Sequence, residues 1–376
     1  MSISLEPIWV DNNDVLAELC DKWSQQAAIA VDTEFMRVST FYPIAGLIQI
    51  GDGKGCYLID PQAITDFAPL AALFINPAVT KVLHACSEDL EVFKCLLGVI
   101  PAPLFDTQVA ASFAGYGFSI GYAGLIKATL DIELSKGETR SDWLQRPLSQ
   151  SQLKYAALDV GYLLIAYGKL LLELQALERI DWVLADCAKF NNPASPEYIQ
   201  NNAYLKVKSG WKLSSRELAV LKVLSLWRER VARERDIPRN RLMKERALWE
   251  LAKRKPKKES LLFNIEGLLP RVIYRDGEDI LAQVQLGLAL DAADLPARLP
   301  MPLPMDQTDL LKALKVQVRS LAERLELPAE VLVRKKDYEF IIRSGINGGK
   351  YQLPDNLLDW RQGLVGDLLL NCAKNF

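Results

Sequence analysis

The feature that most constrains the fold is a change in apolar patterning near residue 205. Before that point, short strand patterns occur at AAIAVDTEF, IAGLIQI, CYLID and KVLHA. The second and third are separated by GDGKG, whose Asp52-Gly53 pair is a hairpin signal. Helical patterns fall near residues 66–75, 87–97, 106–115, 121–130 and 150–178. This order predicts an α/β domain over residues 1–200, with one mixed sheet flanked by helices, and Ser87 as one helix N-cap.

After residue 205 only helical patterns remain, and they repeat once. The segment ERDIPRNRLMKERALWELAK aligns with RLELPAEVLVRKKDYEFIIR at an offset of 90 residues, so Pro238 matches Pro328. The Pro-rich stretch LPARLPMPLPM, residues 295–305, separates the copies and is typical of a linker. The sequence therefore predicts two helical bundles, 206–290 and 300–376.

Charge divides at the same place. Residues 1–200 carry 24 acidic and 13 basic side chains, whereas residues 201–376 carry 23 acidic and 32 basic ones, so the net charge of −2 combines opposite halves. The excess of basic side chains in the second half is concentrated in residues 206–275, which carry 20 basic and 8 acidic side chains. This asymmetry favours an acidic working domain joined to a basic one that holds a polyanion. The alternative is a set of charged helices that simply face solvent.

Several classes of protein are disfavoured by composition. No run of about 18 apolar residues is present, so we expect no membrane span. The start, MSISLEPIWVDNNDV, has neither a basic region nor an apolar stretch of the kind that signals secretion. The six cysteines are scattered without a CxxC pair, which favours a reducing cytoplasm. The single histidine, His84, disfavours a zinc site, so any metal should be bound through oxygen.

Asp32 and Glu34 form the first candidate site. They follow AAIAV, the pattern of a buried strand, and residues two apart on a strand point to the same face. Both carboxylates should therefore meet at the strand's C-terminal end, where open α/β sheets place their sites. Two adjacent like charges are unfavourable unless a cation lies between them. The alternative is a strand end that emerges into solvent.

Asp159 is the second candidate. It is the only charged residue between Lys154 and Lys169, in an apolar helical pattern that indicates a buried helix. An isolated buried carboxylate is costly, so Asp159 needs a partner such as a metal ion. Tyr155 lies four residues earlier on the same helical face.

Asp89 is the third candidate, at the start of a helix that directly follows a strand. A helix N-terminus favours negative charge, so helix capping is an equal alternative for Asp89. His84 could act as a base, although a lone histidine at a strand end is more often an ordinary core residue. Asp106, before TQVAASF, is expected to be an N-cap rather than a ligand.

Three motifs in order, VDTEF, HACSEDLEVF and YAALDVGYLL, resemble the exonuclease motifs of the DEDD superfamily, and the tyrosine marks its DEDDy branch. The match extends through YPIAGLIQI, LIDP, DTQVAASF and SDWLQRPLSQSQLKYAALDV, so nearly the whole chain resembles the bacterial ribonuclease D family. The tail, from about Lys208 to Ala289, resembles the HRDC module shared with Werner- and Bloom-type helicases, and the copy around Pro328 resembles a second, diverged one.

This resemblance implies a ribonuclease H-like exonuclease domain that uses two divalent metal ions, Mg²⁺ or Mn²⁺, about 4 Å apart. By correspondence of the motifs, the resemblance implies that Asp32 bridges both ions and that Asp89 holds one of them. It implies that Glu34 and Asp159 complete the site of the other ion, on the side of the nucleophile. Tyr155 orients the attacking water, because a phenol with a pKa of about 10 is a poor base at neutral pH.

The implied substrate is RNA, with 5′-nucleoside monophosphates released from the 3′ end during tRNA 3′ maturation. The basic segment offers phosphate contacts, and the residues selected for this role are Arg233, Arg239, Arg241, Arg254 and Lys257. Two alternatives stay open at this point: a DNA-directed 3′-to-5′ exonuclease on the same fold, and a nucleic-acid-binding protein without catalytic activity.

Overall fold

One mixed sheet organises the first part of the chain. The computed structural model describes residues 4–134, 137 and 141–376, and within them six strands pair in the order β1-β4-β3-β2-β5-β6. The strands are β1 Pro7–Val10, β2 Ala28–Met36, β3 Ile44–Gly51, β4 Cys56–Ile59, β5 Thr80–Leu83 and β6 Leu104–Asp106. β2, β3 and β4 are antiparallel, while β1 runs parallel to β4 and β5 runs parallel to β2 and β6. The predicted mixed sheet is confirmed, although the edge strands β1 and β6 were not among the predicted patterns.

Helices flank this sheet. They are α1 Asn13–Trp23, α2 Ala68–Ile75, α3 Ser87–Leu97, α4 Thr107–Phe113, α5 Tyr122–Leu130, α6 Gln150–Gly161, α7 Leu163–Ala176 and α8 Ile180–Ala188; the next helix, α9 Pro196–Asn201, belongs to the second unit described below. Asp106 is the N-cap of α4, as predicted, and its side chain accepts hydrogen bonds from the Gln108 and Val109 amides. The prediction for Ser87 was wrong: Cys86 is the N-cap of α3, because its carbonyl accepts the first hydrogen bond of the helix, from the Leu90 amide at 3.0 Å.

The stretch Gln150–Ala176 has the length and apolar composition that could cross a membrane. In the structure it is two helices, α6 and α7, separated at Tyr162. Ala156, Val160 and Leu170 of this stretch are fully buried in the domain. Its apolar composition is therefore that of core helices packed on a sheet.

The remaining helices show the predicted 90-residue repeat. They are α10 Ser215–Glu234, α11 Arg239–Leu242, α12 Glu245–Arg254, α13 Glu259–Leu262 and α14 Pro270–Ala289, followed by α15 Thr308–Arg324, α16 Ala329–Leu332, α17 Lys335–Gly345 and α18 Asp367–Lys374. After α10, Asp236 adopts a left-handed φ of 47°, and after α15 Glu326 does the same with 51°. Pro238 and Pro328 then precede α11 and α16 in matching positions. The repeat therefore extends from sequence to backbone conformation.

The chain forms two compact units. The first contains Met1–Met36, Ile44–Asn192 and Leu303–Phe376, and the second contains Arg37–Pro43 and Pro193–Pro302. The C-terminal bundle thus shares a unit with the sheet: the Trp360 and Trp182 rings stack at 4.6 Å, and Arg361 forms an ion pair with Asp186.

Within the second unit, the segment Arg37–Pro43 is held by the end of α10. One carboxylate oxygen of Asp236 accepts hydrogen bonds from the Phe41 and Tyr42 amides, at 2.8 and 3.0 Å. The Phe41 ring lies between the guanidinium groups of Arg233 and Arg239, at 4.6 and 4.4 Å.

Candidate active site

Strand β2 brings the first two acidic residues to one face of the sheet. The buried run Ile29–Val31 anchors the strand between β3 and β5, and Asp32 and Glu34 follow with their side chains on the same face. A β-bulge lies directly after Glu34, between Glu34 and Phe35. Bulges redirect side chains and end regular pairing, so this irregularity marks where the strand leaves the sheet core.

Helix α6 covers that face and brings two more residues. Its start is fixed by a capping box in which Ser149 and Gln152 satisfy each other's backbone amides. The helix approaches β3 closely at Gly51, where an added Cβ would lie 2.7 Å from the Val160 carbonyl oxygen. This packing places Asp159 and Tyr155, one turn apart, over the acidic end of β2.

The three carboxylates form one cluster. Ligand oxygen atoms of Asp32, Glu34 and Asp159 all lie within 4.8 Å of one another. The predicted convergence of the first and third motifs is therefore present in the structure. Carboxylate oxygens at this spacing match the ligand preference of Mg²⁺ and Mn²⁺.

Asp89 lies near this cluster, on another element. It lies in the first turn of α3 and is 8% exposed. The Thr33 hydroxyl donates to its Oδ1 at 2.5 Å, which ties α3 to the strand residue between Asp32 and Glu34. Asp89 also contributes to the electrostatic environment of Asp32. The helix N-terminus alone does not account for this placement.

Burial raises the pKa of each of these four carboxyl groups, and the charges of nearby carboxylates add to it. Burial is the largest cause in each case. It raises the pKa of Glu34 to about 8 and that of Asp159 to about 7, with the charge of Asp89 adding to both. The pKa of Asp89 rises to about 6, and that of Asp32 lies well above its usual range because the other three carboxylates surround it. Such a cluster favours either protons or cations, and a divalent ion would displace the protons.

Tyr155 faces the same cluster. Burial and the charge of Asp159 raise the pKa of its hydroxyl, which hydrogen bonds with the Asp159 carboxylate. The phenol therefore stays protonated at neutral pH and serves as a donor rather than a base.

Three neighbours of the cluster were not predicted from sequence. Thr33 holds Asp89, as described. Tyr122 donates its hydroxyl to the Leu158 carbonyl at 2.9 Å, and the charges of Asp159 and Asp32 add to the burial that raises its pKa. Gln49 lies opposite Asp32 on β3. A polar residue inside the apolar run IAGLIQI was the one available signal.

His84 is a core residue, in agreement with the favoured prediction. Its Nδ1 lies 2.9 Å from the Thr107 hydroxyl and its Nε2 lies 3.1 Å from the Ile120 carbonyl oxygen. Burial lowers the pKa of its imidazole. Both ring nitrogens are thus engaged away from the carboxylates.

The five basic candidates differ in how strongly they are paired. Glu229 binds both Arg233 and Arg239, whose guanidinium groups also stack on Phe41. Arg254 forms an ion pair with Glu250 at 2.5 Å. Arg241 and Lys257 are exposed and have no carboxylate partner among the described residues. Those two carry the most available positive charge of the set.

The three tryptophans of the second unit differ in their surroundings. Trp227 is 2% exposed and belongs to the bundle core. Trp249 packs against that core, and its indole donates to the Ser209 carbonyl at 3.1 Å. Trp211 lies beside the Lys212 ammonium at 5.2 Å.

The sheet, the helix across it and the acidic cluster define a 3′-to-5′ exonuclease domain. A family model described as 3′-5′ exonuclease matches residues 7–175, and a model of the HRDC domain matches residues 217–284. The HRDC model is matched once, so the HRDC identity of the second bundle rests on the internal repeat.

Similarity over the full chain identifies the family. The chain is 46% identical over 367 residues to ribonuclease D of Pseudomonas paraeruginosa, covering 98% of this chain and 97% of that protein. Ribonuclease D of Escherichia coli is 36% identical over 371 residues, with 98% of each chain covered. The crystal structure of Escherichia coli RNase D, at 35% identity, covers 100% of both chains with a TM-score of 0.89. The chain belongs to the ribonuclease D family and is a 3′-to-5′ exoribonuclease.

Proposed function

We propose that this exoribonuclease trims 3′ extensions from tRNA precursors, releasing 5′-nucleoside monophosphates by hydrolysis at a site for two divalent metal ions. The convergence of Asp32, Glu34 and Asp159 within 4.8 Å carries this proposal, with Asp89 held beside them by Thr33. The solved relative from Escherichia coli is described as an exoribonuclease involved in structured RNA processing. A tRNA precursor is a structured RNA with a free 3′ end.

The donor set fits hard cations. Each of the four proposed ligands is a carboxylate, and the one histidine is bonded to Thr107 and Ile120 instead. Oxygen-only donors suit Mg²⁺ or Mn²⁺ and disfavour zinc. Bound ions of this kind would acidify the attacking water and neutralise charge on the leaving oxygen.

The carboxylates take distinct roles in this proposal. Asp32 would serve both ions, and Glu34 and Asp159 would hold the ion on the side of the attacking water and of Tyr155. Asp89 would hold the second ion from α3, the helix that Thr33 ties to the strand.

Tyr155 positions the nucleophile. Its raised pKa keeps the proton on the hydroxyl, so the phenol can bond Asp159 and the attacking water but cannot remove a proton from it. When bound, the ions would stabilise the charge that develops as water attacks phosphorus, and Tyr155 would keep its proton.

RNA binding is assigned to the basic residues of the second unit: Arg233, Arg239, Arg241, Arg254 and Lys257. Arg241 and Lys257 are expected to contribute most, because the other three already neutralise Glu229 or Glu250. Each phosphate contact on a single strand adds about 0.7 to the salt dependence of binding.

The proposed organisation has an exonuclease domain in residues 1–200, an HRDC domain in 206–290 and a second, diverged HRDC-like bundle in 300–376. The matched helix ends and left-handed residues at the 90-residue offset support the last of these.

A cytoplasmic location is proposed as well. Four of the cysteines, Cys20, Cys56, Cys86 and Cys187, are buried as small apolar side chains, which is consistent with a reducing compartment.

Incubation of purified protein with a 3′-extended tRNA precursor tests this function. With Mg²⁺ or Mn²⁺, products should shorten one nucleotide at a time and mononucleotides should accumulate, whereas EDTA should stop the reaction. A matched DNA strand should be degraded more slowly. Internal cleavage, or equal rates with EDTA, would contradict the proposal.

A further inference from the structure

Gln49 is a buried polar side chain for which the described structure provides no partner. It is the one polar residue in β3, IAGLIQIG, and it is 0% exposed. Neither its amide nitrogen nor its amide oxygen has a hydrogen-bond partner among the described residues. A buried amide without partners is destabilising, and a leucine or methionine would pack there at lower cost. The side chain therefore needs an explanation beyond packing.

The strand register places Gln49 beside Asp32. The two residues are directly opposite each other in the antiparallel pair β2–β3. Opposite residues share a face of the sheet, with Cβ atoms about 5 Å apart. The longer glutamine side chain can span that separation, so its amide is within reach of the Asp32 carboxylate.

The other side of Gln49 is apolar. Leu58 lies opposite it on β4, and Leu47 precedes it on the same face of β3. Both leucines belong to a buried cluster with Ala156 of α6 and with Trp143. Among the described groups of that cluster, the indole nitrogen of Trp143 is also without a partner.

Two of the neighbouring carboxylates already have neutral side-chain donors. Thr33 donates to Asp89, and Tyr155 hydrogen bonds with Asp159. The Asp32 carboxylate accepts a hydrogen bond from the backbone amide of Thr33. Of the two remaining carboxylates, Asp32 and Glu34, Gln49 lies opposite Asp32 and can offer it a neutral donor. An amide adds a hydrogen bond without adding charge to the acidic cluster.

We propose that Gln49 is a positioning residue whose amide N–H donates to the Asp32 carboxylate when that carboxylate holds the metal ions. This inference rests on the proposed role of Asp32 as a metal ligand. Hydrogen bonds to a ligand's free atoms fix its orientation, and their loss typically weakens metal affinity by about 10–100-fold. Gln49 touches neither substrate nor ions in this account.

The test measures Mn²⁺ binding to the full chain by electron paramagnetic resonance, without RNA. Gln49→Met keeps the length of the side chain and removes the donor, while Leu47→Met makes a similar change of packing on the same strand face. Gln49→Met should raise the Mn²⁺ dissociation constant about tenfold or more relative to Leu47→Met. Its KM for RNA should stay unchanged, and excess Mg²⁺ should restore the rate. Unfolding in EDTA should show no loss of stability, because an unpaired buried amide has been removed.

Two results separate failure of this inference from failure of the proposed function. If Asp32→Asn loses Mn²⁺ affinity but Gln49→Met binds within twofold of Leu47→Met, the role of Gln49 is overturned alone. If Gln49→Met were less stable but bound Mn²⁺ with unchanged affinity, the proposed role of Gln49 would also be overturned. The Gln49 amide would then be assigned to a hydrogen bond with Trp143. If Asp32→Asn binds Mn²⁺ as tightly as the unaltered chain, the metal site itself is wrong and the inference falls with it.

Discussion

The Thr33 hydroxyl donates to the Asp89 carboxylate at 2.5 Å, joining strand β2 to the first turn of α3. Thr33 lies between Asp32 and Glu34 in sequence, so its side chain leaves the strand on the opposite side from theirs. The hydrogen bond therefore fixes Asp89 relative to the strand that carries the other two carboxylates. A single residue links the first and second sequence motifs.

Thr33→Val tests this link because valine preserves the shape and removes the hydroxyl. Asp89 would lose its side-chain donor and its orientation, so we expect kcat to fall roughly tenfold at limiting Mg²⁺, with KM for RNA unchanged. Thr33→Ser should retain most of the activity. Thr129→Val removes another buried hydroxyl, which bonds Leu125 in α5 at 2.7 Å, and serves as the control. Equal losses in Thr33→Val and Thr129→Val would indicate a general packing effect.

The raised pKa values predict how stability depends on pH when metal is chelated. A carboxyl group whose pKa is higher in the folded than in the unfolded chain stabilises the fold only while protonated. Stability from such groups is complete below about pH 4 and is lost as pH rises through the folded values. Those values are about 6 for Asp89, about 7 for Asp159 and about 8 for Glu34.

Asp159→Asn isolates this effect, since it removes one ionising group with little change in shape. In EDTA, the variant should be more stable than the unaltered chain at pH 8, and the difference should shrink towards pH 5. Urea unfolding at several pH values provides the comparison. A difference that does not change with pH would show that Asp159 does not titrate in this range.

Metal binding should show the opposite trend with pH. Protons and divalent cations compete for the same carboxylates, so affinity should rise roughly tenfold between pH 6 and pH 8 for each group that titrates near 7. Isothermal titration of Mn²⁺ in buffers of different ionisation enthalpy would detect the released protons. Binding without proton release would argue that the ions bind elsewhere.

Arg361 is predicted to be a main stabiliser of the C-terminal bundle. It is 6% exposed, binds both carboxylate oxygens of Asp186 and donates to the Val331 carbonyl at 3.1 Å. Burial would raise the pKa of Asp186, but the Arg361 guanidinium and the Lys189 ammonium together outweigh this and lower it. Arg361→Met should reduce the free energy of unfolding by about 3 kcal/mol.

The exposed pair of Lys312 and Asp309 supplies the control for this measurement. Its side chains are 69% and 74% exposed, so Lys312→Met should cost under about 1 kcal/mol. Urea midpoints of the two variants give the comparison directly. Similar midpoints would show that the Arg361 pair adds little to the docking of the bundle.

The two available basic residues should affect the salt dependence of RNA binding. Substituting both Arg241 and Lys257 with glutamine should reduce the slope of log affinity against log salt concentration by about 1.4. Arg230→Gln, which removes an exposed arginine paired with Glu234, should change it less. An unchanged slope in the double variant would place the phosphate contacts on other residues. Truncation is a poorer test, because residues 303–376 belong to the unit that contains the sheet.

The parts of the site that sequence predicted are those set by local periodicity. Asp32 and Glu34 share a face because a strand repeats every two residues, and Asp159 is half-buried because its helix is apolar on nearly every side. Both patterns can be read within about ten residues. The N-cap role of Asp106 is local in the same sense and is present in the structure.

The parts that sequence could not supply depend on pairing between distant segments. The position of Gln49 opposite Asp32 is set by the register of β2 against β3. The contact between Thr33 and Asp89 is set by the packing of α3 against the strand. The ion pairs of Glu229 with Arg233 and of Glu250 with Arg254 are four-residue pairs on one helix that spacing could have shown, whereas the pair of Glu229 with Arg239 depends on the turn after α10. A count of basic residues does not reveal that these arginines are already paired with carboxylates.

The most direct test of the metal site is single-turnover release of a mononucleotide from a short RNA by the Asp32→Asn variant. With saturating Mg²⁺, the loss of a carboxylate that contacts both ions should slow release roughly a thousandfold or more, because it removes several kcal/mol of transition-state stabilisation. RNA affinity, measured in parallel, should remain within a fewfold of the unaltered chain. A release rate close to that of the unaltered chain would contradict the assignment of Asp32 and, with it, the account of the site.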